Sequence, residues 1–189
     1  MREFRAYSTG GFSHGKAEIM TIVHRIAALC LLGLLAPPAI AQPGKTLKQQ
    51  LVGTWDQVMS EVTMPDGKKS FPFGEKPNGV LIFTDDGRFV QVHIASGIPK
   101  VAANNRSAGT ADENKAVVGG SIALFGTYTV DEDKKLVIFT VKASTFPNWD
   151  GAVQPRKIVL LDAGEFINEN PGGSVGGGAI AQNKYARSK

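Results

Sequence analysis

The chain has 189 residues, with 22 glycines, 10 prolines and a formal net charge of +4 at pH 7. Residues 1–41 hold four of the 21 basic and two of the 17 acidic side chains, which leaves residues 42–189 with a net charge of +2. Because this charge is small and no cluster of basic and aromatic residues accompanies it, we predict no nucleic-acid partner.

The N-terminal region is typical of a secretion signal. After Met20 come a short positive segment at 24–25 and an apolar run over 26–35. The run is too short to cross a bilayer, which takes about 20 residues. It leads to the small-x-small pattern Ala39-Ile40-Ala41. We therefore predict a signal peptide over 20–41, cleaved after its last residue, and a secreted or periplasmic protein without a membrane span.

Two further features bear on the N-terminal region. Residues 1–19 are unlike the start of a signal peptide, so we expect them to be a mis-assigned extension, with translation beginning at Met20. The single cysteine, Cys30, follows Leu29, whereas lipoprotein processing requires a small residue immediately before the cysteine. We therefore expect no lipid anchor and removal of Cys30 with the signal peptide. The mature domain, residues 42–189, then contains no cysteine and must be stable through packing alone.

Short strands separated by turns dominate the mature domain. We predict strands at 53–64, 80–84, 88–95, 121–130, 135–143, 153–161, 165–169 and 179–187, with a weak extended piece at 68–71. The segment 46–50 is a helical turn or coil. Thr110 and Glu113 form a capping-box pattern, so a short helix is predicted at 111–118, ended by Gly119-Gly120.

Eight antiparallel strands can close into a barrel that holds side chains or one small ligand. Because most neighbours are joined by hairpin turns, we predict an all-β, eight-stranded up-and-down barrel, with a two-sheet sandwich as the alternative. We interpret Asp85-Asp86-Gly87 as a three-residue hairpin loop with a bulge at the glycine. A loop of this length predicts that Phe83 pairs with Phe89 across the two strands. This register places one set of side chains on the same face: Leu81, Phe83, Phe89, Gln91 and His93.

Five motifs occur in a characteristic order. They are Gly53-Thr54-Trp55, Pro72-Phe73-Gly74, Asp86-Gly87-Arg88-Phe89, Phe125-Gly126-Thr127-Tyr128-Thr129-Val130 and Ser144-Thr145-Phe146-Pro147-Asn148-Trp149. Together they resemble the lipocalin-like domain family of bacteria and fungi over roughly residues 48–187. The resemblance implies a lipocalin-type barrel and no established activity. It also implies a structural closure in which Gly53 and Trp55 meet Arg187, although Tyr185 stands where that family often has tryptophan.

The candidate ligand-binding residues are His93, Arg156, Tyr128, Gln91, Gln154, Phe89 and Trp149. Arg156 alternates with Gln154, so an inward Arg156 could clamp a carboxylate or pair with an acidic neighbour such as Glu61. His93 has no second histidine or cysteine beside it, so we predict no metal and no cofactor. Trp149 either forms a lid or folds back to cap the barrel.

No nucleophile–base set is visible, so no catalytic residue is predicted. The sequence favours a secreted barrel that binds a small apolar or amphipathic ligand in its interior. One alternative is a barrel-type isomerase or cyclase for a lipid-like or polyketide-like substrate, positioned by Tyr128, His93 or Arg156. Another is a packed, ligand-free barrel that acts through its surface. A cavity below about 100 Å³ would favour the last, since ligand pockets reach ~300 Å³ or more.

Overall fold

The computed structural model describes residues 44–171 and 173–189. The predictions for residues 1–41 fall outside this part of the chain. The helices are α1 (Leu47–Leu51) and α2 (Ala111–Gly120). The strands are β1 (Gly53–Thr63), β2 (Lys69–Ser70), β3 (Asn78–Phe83), β4 (Arg88–Ile94), β5 (Ser121–Asp131), β6 (Leu136–Ser144), β7 (Val153–Leu161), β8 (Glu165–Pro171) and β9 (Ile180–Arg187). Within the described residues, no helix is both long and apolar enough to cross a membrane.

Eight strands form a closed, up-and-down antiparallel barrel, as predicted. They follow one another from β3 to β9, and β1 closes the ring by pairing with both β3 and β9. The predicted pairing of Phe83 with Phe89 is confirmed. The weak extended piece is β2, which pairs only with the end of β1.

The helices differ from the prediction in extent. The segment predicted as a turn or coil is helix α1, with a capping box between Thr46 and Gln49. Its first backbone N–H groups also donate to the Glu132 carboxylate, at 2.8 and 3.1 Å. Helix α2 has the predicted capping box but continues through Gly120, whose carbonyl accepts a hydrogen bond from the Ala95 amide at 2.7 Å.

The two ends of the barrel differ. Helix α1 and three short turns lie at one end, which we call the closed end. The longer connections, between β1 and β3, β4 and β5, β6 and β7, and β8 and β9, gather at the other end, which we call the mouth. An aromatic core fills the closed half of the interior: Trp55, Phe83, Phe89, Phe139, Phe166 and Tyr185.

Candidate functional site

The closed end is held by Trp55 and Arg187. The Trp55 side chain is fully buried, and its Nε1–H donates to the Leu51 carbonyl at 2.7 Å. The Arg187 guanidinium lies 4.0 Å above the indole ring. It donates to three backbone carbonyls, those of Gln50, Val52 and Ala163. A Cβ at Gly53, where φ is +128°, would lie only 2.8 Å from Arg187 Nη1. All these groups are occupied with each other, so the closed end is structural.

The rest of the interior is polar, and we call it the polar interior. Its buried, inward-facing members are Gln57, Ser60, Gln91, His93, Gln154, Arg156, Asn168, Asn170 and Asn183. Six of these side chains are carboxamides, and none is a carboxylate. Charges inside a protein interact strongly because little water screens them. The electrostatics of this region therefore depend on its single permanent cation.

That cation, Arg156, is only 2% exposed. Its Nη1 donates to Gln91 Oε1 at 2.8 Å and its Nη2 to Gln154 Oε1 at 2.9 Å. Gln91 in turn donates to the Tyr185 hydroxyl at 2.6 Å. The guanidinium carbon lies 4.2 Å from the centre of the Phe139 ring. The Nε–H of Arg156 has no hydrogen-bond partner among the described residues, so the guanidinium is positioned but not saturated.

Burial lowers the pKa of Arg156 to about 10, so it remains charged at neutral pH. Burial also raises the pKa of Tyr185 to about 12, which leaves that hydroxyl neutral. The acidic neighbour considered from the sequence, Glu61, is not its partner: the Glu61 carboxylate binds Lys69 at 2.8 Å. A bulge in β1 after Gln57 explains this, since Ser60 and not Glu61 is then buried in the interior. The charge of Arg156 is therefore uncompensated.

His93 lies beside this charge as a neutral group. The ring is buried and stacks on Phe73, with the ring centroids 4.9 Å apart and an angle of 12° between the planes. Burial, and secondarily the charge of Arg156, lower its pKa from the usual 6.5 to about 3. Its Nδ1 has no hydrogen-bond partner in the described part of the chain. Within residues 44–171 and 173–189, no group of three or more His, Cys, Asp or Glu could hold a metal ion.

A cavity of about 40 Å³ adjoins Arg156 on the mouth side. Its polar lining includes Ser60, Gln91, His93, Arg156, Asn170 and Asn183. Phe73 and Trp149 also line it, and both belong to mouth connections. A water molecule needs roughly 10–15 Å³ measured in this way, so the cavity has room for a few waters or a small ion. This volume lies below the 100 Å³ limit set above and is too small for an apolar ligand.

The structure brings together some of the predicted site residues. Gln91, His93, Arg156 and Trp149 all line the cavity, and Gln154 supports Arg156 from behind. Trp149 folds back over the mouth in a short 3₁₀ helix, Pro147–Trp149, and is partly buried.

Two predicted residues lie elsewhere. Tyr128 lies in the closed half, where its hydroxyl donates to the Thr84 carbonyl at 2.9 Å and its ring packs edge-on against Phe83. Phe89 is a core residue, stacked on Phe139 at 4.1 Å. Neither side chain lines the cavity.

Several lining residues were not singled out from the sequence. Asn170 and Asn183 keep a period of two with the buried Phe166 and Tyr185, so the alternation within β8 and β9 could have identified them. Ser60 could not be identified in this way, because the bulge in β1 shifts the alternation. Phe73 belongs to the motif Pro72-Phe73-Gly74, but no periodic signal in the sequence shows that its connection passes over the mouth.

The strand order and the internal cavity define a small closed β-barrel of the lipocalin type. The lipocalin-like domain family matches residues 52–175, which is more than half of the chain. The chain therefore belongs to the lipocalin-like domain family. Among curated protein sequences, no significant match is found.

Solved structures with a similar barrel include a complex of bovine odorant-binding protein with a selenium-containing odorant. It shares 14% identity over 78% of this chain and 76% of that chain, with a TM-score of 0.40. A redesigned β-barrel bound to DFHBI shares 18% identity over 76% of this chain and 100% of that chain, with a TM-score of 0.38.

Proposed function

We propose that this chain is a secreted binding protein for a small molecule that carries an anionic group, and that Arg156 binds this group inside the barrel. The observation that carries the proposal is the buried, charged Arg156, which has no carboxylate beside it among the residues that the structure describes. Burying an ion without a partner costs several kcal/mol, so a counter-ion is strongly favoured at this position.

The surroundings of Arg156 suit a carboxylate. A guanidinium has more N–H donors than the two that Gln91 and Gln154 accept, and its planar fork matches a carboxylate in two-point geometry. The cavity also presents Ser60 and two asparagines, which can donate to the remaining oxygen lone pairs. His93 is neutral and can donate without adding a charge.

Native mass spectrometry of the mature protein, purified from its own cells, tests the proposal. We expect a small acidic molecule retained by the wild type and lost from Arg156→Met. The matched control is Lys157→Met, which removes the same charge from the exposed neighbour on β7 and should leave the ligand in place. A second readout is the rise in Tm on adding formate or acetate, the smallest carboxylates.

The small cavity supports a second candidate, a packed barrel that acts through its surface. In that case no variant would carry a ligand, and neither formate nor acetate would raise the Tm. The isomerase or cyclase alternative has no comparable support, because Tyr128, one of its proposed positioning groups, lies away from the cavity.

Secretion is proposed from the signal-peptide pattern over residues 20–41. N-terminal sequencing of protein collected from the periplasm or the medium should give a chain that begins at Gln42. A chain that keeps its N-terminus and stays in the cytoplasm would contradict this part of the proposal.

A further inference from the structure

A second space lies on the other side of Phe73. It is a cleft of about 310 Å³ at the mouth, and we call it the outer cleft. Its apolar lining comprises Pro72, Phe73, Val118, Ile122, Phe146 and Val175, and no charged side chain lines it. Two of these residues are unusually exposed for valine, Val118 at 77% and Val175 at 51%. Such exposed apolar side chains, gathered around one cleft, are typical of a binding surface.

The outer cleft and the cavity at Arg156 share a wall. Pro72, Phe73 and Ile122 line both spaces. The cavity alone has room for only a small ion, at about 40 Å³, whereas the outer cleft reaches the lower limit of known ligand pockets, ~300 Å³. One space offers a buried cation and the other an apolar surface. A molecule that occupied both would need a charged end and an apolar end.

The Phe73 side chain in the shared wall is buried but lies outside the main hydrophobic cluster. The Phe73 ring stacks on His93, and the Phe73 carbonyl accepts a hydrogen bond from the Ser96 amide at 3.3 Å. On the far side of the cleft, α2 contains no buried residue. Rotation of the Phe73 ring would therefore break its stacking on His93 but would not disturb the main hydrophobic cluster. Local opening of this kind is expected where few apolar contacts are buried.

We infer that the ligand is an amphipathic monocarboxylate, whose carboxylate reaches Arg156 past the Phe73 ring while its apolar chain lies in the outer cleft. The inference rests on the proposed function, because it takes Arg156 as the binding site for the anionic group. It adds the class of ligand and the position of the apolar part. Charge complementarity determines which end enters the barrel.

A chain-length series tests the inference on the mature protein. The probes are acetate, butanoate, hexanoate and octanoate, with octan-1-ol as the uncharged control, and the readout is Kd by calorimetry. Each added methylene that becomes buried should lower Kd by about two- to fourfold. Octan-1-ol should bind at least about tenfold more weakly than octanoate, because it leaves the buried cation without a counter-ion.

Variants at the cleft locate the apolar chain. Val118→Ser should weaken the dependence of Kd on chain length and leave the Kd of acetate unchanged. The matched control Val117→Ser alters the neighbouring valine of α2, which does not line the cleft, and should keep the full dependence. Val118 is largely exposed, so its substitution should not impair folding.

Two further variants test the route past Phe73. Phe73→Ala should speed octanoate association, because it removes the ring between the two spaces. The matched control Phe125→Ala removes the same side chain from the exposed face of β5, away from both spaces, and should not change the rate. Equal acceleration in both variants would overturn the assignment to the Phe73 side.

The outcomes separate the two proposals. If acetate binds through Arg156 and Kd does not change with chain length, this inference is wrong and the proposed function stands. If no carboxylate binds and Arg156→Met behaves like the wild type, both are wrong.

Discussion

Two arginines in this barrel each lie over an aromatic ring, but they differ in burial and in how their donors are satisfied. Arg187 and Arg156 each lie over an aromatic ring, at 4.0 and 4.2 Å. Arg187 donates to three backbone carbonyls, which the fold keeps in place. Arg156 donates to two carboxamides, which can rotate, and its Nε–H has no partner within residues 44–171 and 173–189. The first arrangement uses its donors on backbone carbonyls, whereas the second leaves one N–H donor free among the described residues.

The same contrast extends to the two halves of the interior. The closed half is built around a cluster of buried aromatic and aliphatic side chains. The polar interior holds buried nitrogen and oxygen atoms without partners on Gln57, His93, Arg156 and Asn168. A buried unsatisfied group costs about 1–3 kcal/mol, so this region lowers the stability of the fold. Local violations of this kind are expected at functional sites.

The largest expected effect comes from the aromatic core. Trp55→Ala should lower the free energy of unfolding by ~3–5 kcal/mol, because it leaves a large cavity and removes the ring beneath Arg187. Urea denaturation measures this loss. Trp149→Ala removes the same side chain from the mouth, where it is only partly buried, and should cost less than half as much. Equal losses would mean that the mouth contributes as much to stability as the closed end.

The paired substitutions of the two arginines should change stability in opposite directions. Arg187→Met leaves three carbonyls without their donor and should destabilise the protein by about 2 kcal/mol. Arg156→Met replaces an uncompensated buried charge with an apolar chain and should stabilise it, by up to about 2 kcal/mol. Urea midpoints measured without added anions give both values. A loss of stability in both variants would show that Arg156 is a structural residue like Arg187.

Much of the closed end could be predicted from the sequence. Gly53, Trp55 and Arg187 follow a recognisable pattern, and the turn at Gly87 sets the register of Phe83 and Phe89. The closure by Gly53, Trp55 and Arg187 is implied by the family resemblance, whereas the turn is a local signal and the strand faces follow a simple period of two.

The polar interior could be predicted only in part. Gln91, His93, Gln154 and Arg156 were predicted from alternation within single strands. The rejection of Glu61 required the bulge in β1, which is not visible in the alternation of residue types. The position of Phe73 over His93 depends on the path of a long connection, for which the sequence contains no periodic signal.

His93 should make stability depend on pH. Its pKa is about 3 in the folded protein against an ordinary 6.5, so between these values the unfolded chain binds more protons. Stability should therefore fall as the pH falls through this window, by about 2 kcal/mol from pH 7 to pH 5. Urea denaturation at the two pH values measures this loss. His93 is the single histidine of residues 42–189, so His93→Gln should abolish most of the change. An unchanged pH dependence in that variant would show that another group is responsible.

The smallest expected effect distinguishes the two capped helices. Thr46 and Thr110 each form a capping box, and replacing either with alanine should destabilise its own helix by about 1 kcal/mol. Helix α1 buries Leu51 beneath the aromatic core, whereas α2 buries no residue. Thr46→Ala should therefore lower the global free energy of unfolding. Thr110→Ala should instead speed hydrogen exchange in α2 alone and leave the urea midpoint nearly unchanged.

Helix α2 forms one wall of the outer cleft, and only the longer ligand reaches that wall. Thr110→Ala should therefore also weaken octanoate binding and leave acetate binding unchanged. Equal weakening for both carboxylates would place the effect at Arg156 and not at the cleft. A lowered urea midpoint in Thr110→Ala would show that α2 unfolds together with the barrel. The mouth would then be as stable as the closed end, and the ligand could enter only by rotation of the Phe73 ring.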